Sequence, residues 1–523
     1  LIRVSGCTVT IDGAHRFAGL TVESGGDVTH SVGAAEGLRL LVTRDVAVNA
    51  GGNISVSGKG HPAEAGPGAG VYDGGGSNLS SGGGYGGLGG RAGVGDNQCY
   101  GSVTFPTSLG SGGGEAHGGR GGGAMHITVN GTMTVDGYVR SGGNGVGAEY
   151  NAGGGSGGSV LLEVGTLAGS TAGYIYADGG TPGVWSGYNG AGGGGRIAIY
   201  YDQNNFAGTI RARTGGSYGN NTRYGGAGTI YLKDRDAQLG DLALDNEGYS
   251  GSLSYLPGVT DLAANLTIRE SARLGTEWED SGSGYEVGKL LALVVEGDLT
   301  VESTGYLDLS AYGEPAEQGS GAGVYDGGGS NLSSGGGYGG LGGRAGVGDN
   351  QCYGSVTFPT SLGSGGGEAH GGRGGGAMHI TVNGTMTVDG YVRSGGNGVG
   401  AEYNAGGGSG GSVLLEVGTL AGSTAGYIYA DGGTPGVWSG YNGAGGGGRI
   451  AIYYDQNNFA GTIRARTGGS YGNNTRFGGA GTIYVKDRNA QLGDLRIDND
   501  GYSGTSTLLT GPTDLAANMT IVN

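Results

Sequence analysis

The chain has 523 residues, of which 136 are Gly, 31 Tyr and only 9 Pro, and a formal net charge of −17. Glycine far above its usual ~7% share, without the Gly-X-Y period or proline content of collagen, excludes a triple helix. The acidic balance disfavours nucleic acid and anionic membranes as partners, since both require basic patches, and no run of 18 apolar residues offers a membrane span, so no membrane insertion is expected in this segment.

In chain order, the first strand-like stretch is 37–60, GLRLLVTRDVAVNAGGNISVSGKG, followed by a glycine-dominated insertion at 66–123. Four similar segments follow: AMHITVNGTMTVDGYVRSGG (124–143), GSVLLEVGTLAGSTAGYIYADGG (158–180), GRIAIYYDQNNFAGTIRARTGG (195–216) and GTIYLKDRDAQLGDLALDNEG (228–248). Each reads as a strand, a short turn and a second strand. Apolar residues alternate with a period of two, which puts one face of each strand inward. The pattern aligns Ile127 and Val129 with Val160 and Leu162, then with Ile197 and Ile199, then with Ile230 and Leu232. The second strands contribute Val139, Ile175, Ile210 and Leu242. Strands of one pattern at a fixed spacing of about three dozen residues predict stacking rungs. The expected fold is all-β, a parallel β-helix or β-solenoid, with β-sandwich repeats as the alternative.

A longer period encloses the shorter one. Residues 68–242 recur at 321–495, an offset of 253, with three differences: Tyr224 and Phe477, Leu232 and Val485, Asp236 and Asn489. The reading is one N-terminally truncated repeat unit at 1–248, a second at 249–501 with its own insertion at 319–376, and the start of a third at 502–523. The array is expected to continue, covalently or by head-to-tail or lateral assembly with copies of itself.

Between the strand segments lie runs such as GGNGVGAEYNAGGGSGG, GGTPGVWSGYNGAGGGG and GGGSNLSSGGGYGGLGGR. Loops this long and numerous are poor candidates for slack tethers. Without side chains, neighbouring backbones can approach and bond to one another, so the runs are expected to pack side by side as polyglycine-II-like helices.

The motifs GAGGGGRIAIYYDQNNFAGTIRARTGG and GGAGTIYLKD resemble the repeats of very large bacterial surface and adhesin-like proteins. The glycine runs are similar to the polyglycine-helix bundles of some phage adhesins and antifreeze proteins. The resemblance implies an extracellular or cell-surface location and a filament, stalk, sheath or attachment role, without naming a ligand.

Residues able to carry chemistry are sparse. Glu163, Asp178, Asp202 and Asp234 fall in different segments, where a glycosidase needs paired carboxylates. Glu115 and His117 sit together in GEAHGG, which reads as a solvated loop pair. No HExxH, CxxC or GxxxxGK[ST] occurs, and the three Cys (Cys7, Cys99, Cys352) form no disulfide framework. The expectation is a non-enzymatic protein with no catalytic residues and no cofactor. Asp73 and Asp96, with copies Asp326 and Asp349, could ligate calcium in the long loop, and more simply read as exposed loop acids. Aromatics amid glycine are the most suggestive side chains: Tyr72, Tyr85, Tyr100, Tyr150, Tyr188 and Tyr218. They either stack on glycans, as an adhesin's would, or anchor the glycine runs.

Overall fold

A computed structural model of the chain describes residues 1–74, 79–90, 97–183, 189–216, 223–282, 284–327, 332–344, 350–436, 442–469, 476–509 and 515–522. Among these the regular elements are all β-strands. The chain forms two compact units, one comprising Leu1–Val259 and Ala263–Leu274, the other Thr260–Leu262 and Gly275–Asn523.

In the first unit the long strands Ala124–Val135, Ser159–Gly169, Arg196–Phe206 and Thr229–Asp234 pair in parallel, in that order. Leu38–Val42 adds to the outer side of Ala124–Val135, and Gly13–Phe17 adds to Leu38–Val42. A second ladder is built from three-residue strands: Thr8–Thr10, Asp27–Thr29, Asn53–Ser55, Tyr138–Arg140, Tyr174–Tyr176 and Thr209–Arg211. Its middle positions, Val9, Val28, Ile54, Val139, Ile175 and Ile210, form one apolar column. The inward residues of both ladders meet in a single core that includes Ile127, Val129, Val139, Leu162, Ile175 and Ile199. Parallel neighbours need connections of a dozen residues or more, and the glycine-rich segments supply that length. The antiparallel sheets of a β-sandwich are not what these ladders show.

Two details depart from the expected register. Val160 lies opposite Met125, and Leu162 opposite Ile127, so the first long strand is shifted by two residues. A two-residue slip leaves every side chain on the same face, so the apolar pattern does not distinguish the two registers. Leu242 does not stack on Ile210. Its strand, Gly240–Asp245, folds back antiparallel on Thr229–Asp234, with Leu242 opposite Tyr231. The cause is local. The Asp234 carboxylate accepts from the Asp236 amide (2.9 Å) and its carbonyl from that of Ala237 (3.1 Å), closing a tight turn. The second unit makes the same hairpin between Thr482–Asp487 and Gly493–Asp498.

The second unit repeats the plan. Ala377–Val388, Ser412–Gly422, Arg449–Phe459 and Thr482–Asp487 form the long ladder, and Leu291–Val295 adds to Ala377–Val388. Tyr306–Asp308, Tyr391–Arg393, Tyr427–Tyr429 and Thr462–Arg464 form the short one.

At its centre the long ladder is buried on both faces, while its outer rungs and far ends are not. Leu161 and Ala198 point away from the main core yet are fully buried. The insertion covers them: Val103 is buried, and the Tyr200 hydroxyl donates to the Thr104 carbonyl (2.8 Å). This explains why SVLLEV reads as an unbroken apolar run rather than a clean alternation.

Candidate functional site

The most distinctive assembly in each unit is a layer of glycine backbone beside the long ladder. Its centre in the first unit is Gly190–Gly195. Gly190 and Gly193 donate to the carbonyls of Ser80 (2.7 Å) and Gly83 (2.9 Å). Gly154 and Gly157 donate to those of Gly190 (3.0 Å) and Gly193 (2.9 Å), while Gly192 and Gly194 donate to Gly180 (2.9 Å) and Gly226 (3.0 Å). One run is thus bonded to four other segments. The residues are buried, and their amides and carbonyls find partners within the layer, as buried backbone requires. A Cβ at Gly192 would overlap the Gly155 carbonyl, and one at Gly113 the Gly153 carbonyl. Glycine is required here by proximity of backbones, not by a left-handed turn. In the second unit Gly443, Gly446, Gly445 and Gly447 make the corresponding bonds to Ser333, Gly336, Gly433 and Gly479.

Side chains rivet this layer to the strands. Tyr85 is completely buried, and its hydroxyl lies 2.7 Å from the Ser159 hydroxyl. Its ring packs at 4.7 Å against Tyr100, whose hydroxyl donates to the Leu109 carbonyl (2.6 Å). Burial pushes both phenols well above their usual range, so they stay neutral donors. Arg196 is also fully buried. Its guanidinium sits 5.5 Å from the Tyr85 ring centroid and donates to the carbonyls of Tyr100 (2.9 Å) and Tyr85 (3.4 Å) and to the Thr229 hydroxyl (3.1 Å). Burial lowers its pKa, but an arginine remains charged. Its partners are carbonyls and a hydroxyl in place of a carboxylate. The second unit repeats the set: Tyr338 with Ser412 (2.7 Å), and Arg449 with the Tyr353 carbonyl (2.8 Å) and Thr482 (3.1 Å).

The six candidate tyrosines therefore separate. Tyr85 is an internal rivet, and Tyr100 is half-buried with its ring against Tyr85. Tyr72 is half-buried and bridges to Ser80 in an antiparallel pair. Tyr150 is exposed and stacks on His117 at 4.3 Å, while His117 is hydrogen-bonded to Glu115 (3.1 Å). Tyr188 and Tyr218 lie outside the described residues. Asp96 and Asp349 also lie outside them, and the Asp73 and Asp326 carboxylates accept from the amides of Leu79 and Leu332 (3.1 Å each).

The scattered acids are each engaged. Glu163 meets His126 (2.8 Å), Asp202 meets Arg235 (2.8 Å), and Asp178 is held by Arg211 (2.7 Å) and the Arg213 amide (3.2 Å). Burial raises the pKa of Asp178 against the pull of Arg211. Among the described residues no group of three or more His, Cys, Asp or Glu could hold a metal ion.

Sequence reasoning overlooked Arg196, Ser159 and their copies. A signal for them existed: the rung neighbours of Arg196 are Ser159 and Thr229, small residues that leave room for a long side chain turned into the layer. Comparison with known proteins finds no matching family model, no similar curated protein and no similar solved structure.

Proposed function

We propose that this chain is a structural repeat protein of the cell surface or extracellular space, built to make or extend a filament, stalk or sheath. In this reading the two ladders of each unit wind as a parallel β-helix, and the glycine runs beside them are polyglycine-II-like helices. The reading is supported by one core receiving the inward residues of both ladders, and by single glycine runs bonded to several others at once.

The observation that carries the function is recurrence of the internal lattice bond by bond. Tyr85–Ser159 and Tyr338–Ser412 are both 2.7 Å, and Arg196 and Arg449 meet the corresponding hydroxyls at 3.1 Å. A stacked array draws stability from repeated neighbour contacts, and sameness serves that end directly. Copies of the chain are then its first partners. Electron microscopy of the native material should show threads with an axial repeat set by the 253-residue period. Discrete globular particles at all concentrations would overturn the reading. The glycan-binding alternative rests on Tyr150, the one exposed ring among the described candidate tyrosines of the first unit.

A further inference from the structure

The outward face of the first unit's N-terminal rungs carries two arginines that the corresponding rung positions of the second unit do not repeat. Two adjoining cavities of about 350 and 270 Å³ meet at Arg39 and His126. Glu36 and Phe105 line the larger; His15 and Arg16 line the smaller. The larger lies within the ~300–1,000 Å³ range of small-ligand sites.

The chemistry of the walls is specific. Arg16 and Arg39 are exposed, and among the described residues neither side chain makes an ion pair or hydrogen bond. Two guanidinium groups without carboxylate partners offer a planar fork to a carboxylate ligand. Phe105 is 47% exposed yet held in place, its amide bonded to the Ser102 hydroxyl (3.0 Å) and its ring set edge-on to His126 at 5.4 Å. A fixed, exposed aromatic ring offers an apolar platform at small entropic cost. His126 is oriented by Glu163 (2.8 Å), which also accepts from the Thr128 hydroxyl (3.2 Å). Glu36 adds a carboxylate that accepts from hydroxyl groups. The chain's net charge of −17 is screened beyond ~8 Å at physiological salt, so these local cations govern the cleft.

The second unit preserves half of this arrangement. Phe358 is 50% exposed, its ring lies 5.3 Å from His379, and His379 meets Glu416 at 2.9 Å. The cations are gone. Arg39 lies beside His126, and the residue beside His379 is Ala292. Arg16 lies beside Leu41, next to Thr128; the corresponding place beside Val294, next to Thr381, is taken by Asp261.

We propose that the cleft between Arg16, Arg39, His126 and Phe105 binds an acidic oligosaccharide, with a sugar carboxylate on the guanidinium groups and a sugar ring on Phe105. Hydroxyl groups of the sugar donate to Glu36. The site is independent of the filament reading, because it needs one unit and no assembly.

The test is calorimetry of the full chain with a hexamer of galacturonic acid, and with a neutral maltohexaose as control. The acidic hexamer is expected to bind at one site per chain, and the neutral one not to bind. R39A, R16A and F105A should each weaken binding roughly tenfold or more, whereas F358A leaves it unchanged. All four side chains are exposed, and melting curves identify any variant that fails to fold. Absence of binding, equal binding of the neutral hexamer, or equal losses for F105A and F358A would overturn the proposal. A sulfated hexasaccharide binding equally well with R39A unaffected would also overturn it.

Discussion

The inward face of the strand ladders and the glycine layer beside them are both sealed from water, but they reach that state in opposite ways. The ladders fill space with side chains: Ile127, Leu162 and Ile199 are fully buried in one core. The layer leaves no room for a Cβ at glycines such as Gly192 and Gly113, and backbone meets backbone through bonds such as Gly193 to Gly83 and Gly157 to Gly193. The first gains from apolar burial, at ~25 cal/mol per Å². The second orders glycine, the residue that loses most freedom on folding, at ~1–2 kcal/mol of backbone entropy per residue. Its hydrogen bonds return only ~0.5–1.5 kcal/mol net each. Such a layer is marginal by itself, which is why buried rivets such as Tyr85 and Arg196 tie it to the strands.

The comparison makes opposite demands on substitution, and the largest expected effect is in the layer. Gly192→Val should abolish folding of its unit or cost more than about 3 kcal/mol, because the new Cβ overlaps the Gly155 carbonyl and both backbones are fixed by other runs. Chemical denaturation of the variant measures it. A cost under about 1 kcal/mol would mean that the layer yields easily. Next in size is Leu162→Ala, a fully buried core truncation expected to cost about 2–5 kcal/mol by the same measurement. If the valine is tolerated and the alanine is not, the two regions do not differ as described. Smallest is Tyr85→Phe, which keeps the ring against Arg196 and removes only the hydroxyl bonded to Ser159. It should cost about 0.5–1.5 kcal/mol in thermal or chemical unfolding, since the Ser159 hydroxyl keeps its bond to the Ser108 carbonyl (2.6 Å).

The same contrast governs what the residues disclose before any coordinates are seen. Period two exposes the core face, so Val139, Ile175 and Ile210 are legible as a column and prove to be one. Period two is blind to a two-residue slip, so the pairing of Ile127 with Leu162 could not be read from it. The fold-back of Gly240–Asp245 depends on a turn closed by one aspartate, a signal too local for a repeat pattern to carry. In the layer, glycine abundance announces close packing but not which run meets which. Arg196 is the hardest to read, because burial of a charged residue is read as a mistake unless its small rung neighbours are noticed. The arginine cleft escapes for a related reason: Arg39 and Phe105 come together only when the insertion folds back over the rungs.

Hydrogen–deuterium exchange resolved to single amides tests the central claim most directly. If the glycine runs form an ordered, mutually bonded layer, the amides of Gly190, Gly192, Gly193 and Gly194 should exchange as slowly as that of Ile199 in the adjoining strand. Exchange of those glycines at the rate of an unstructured chain, with Ile199 still protected, would contradict it.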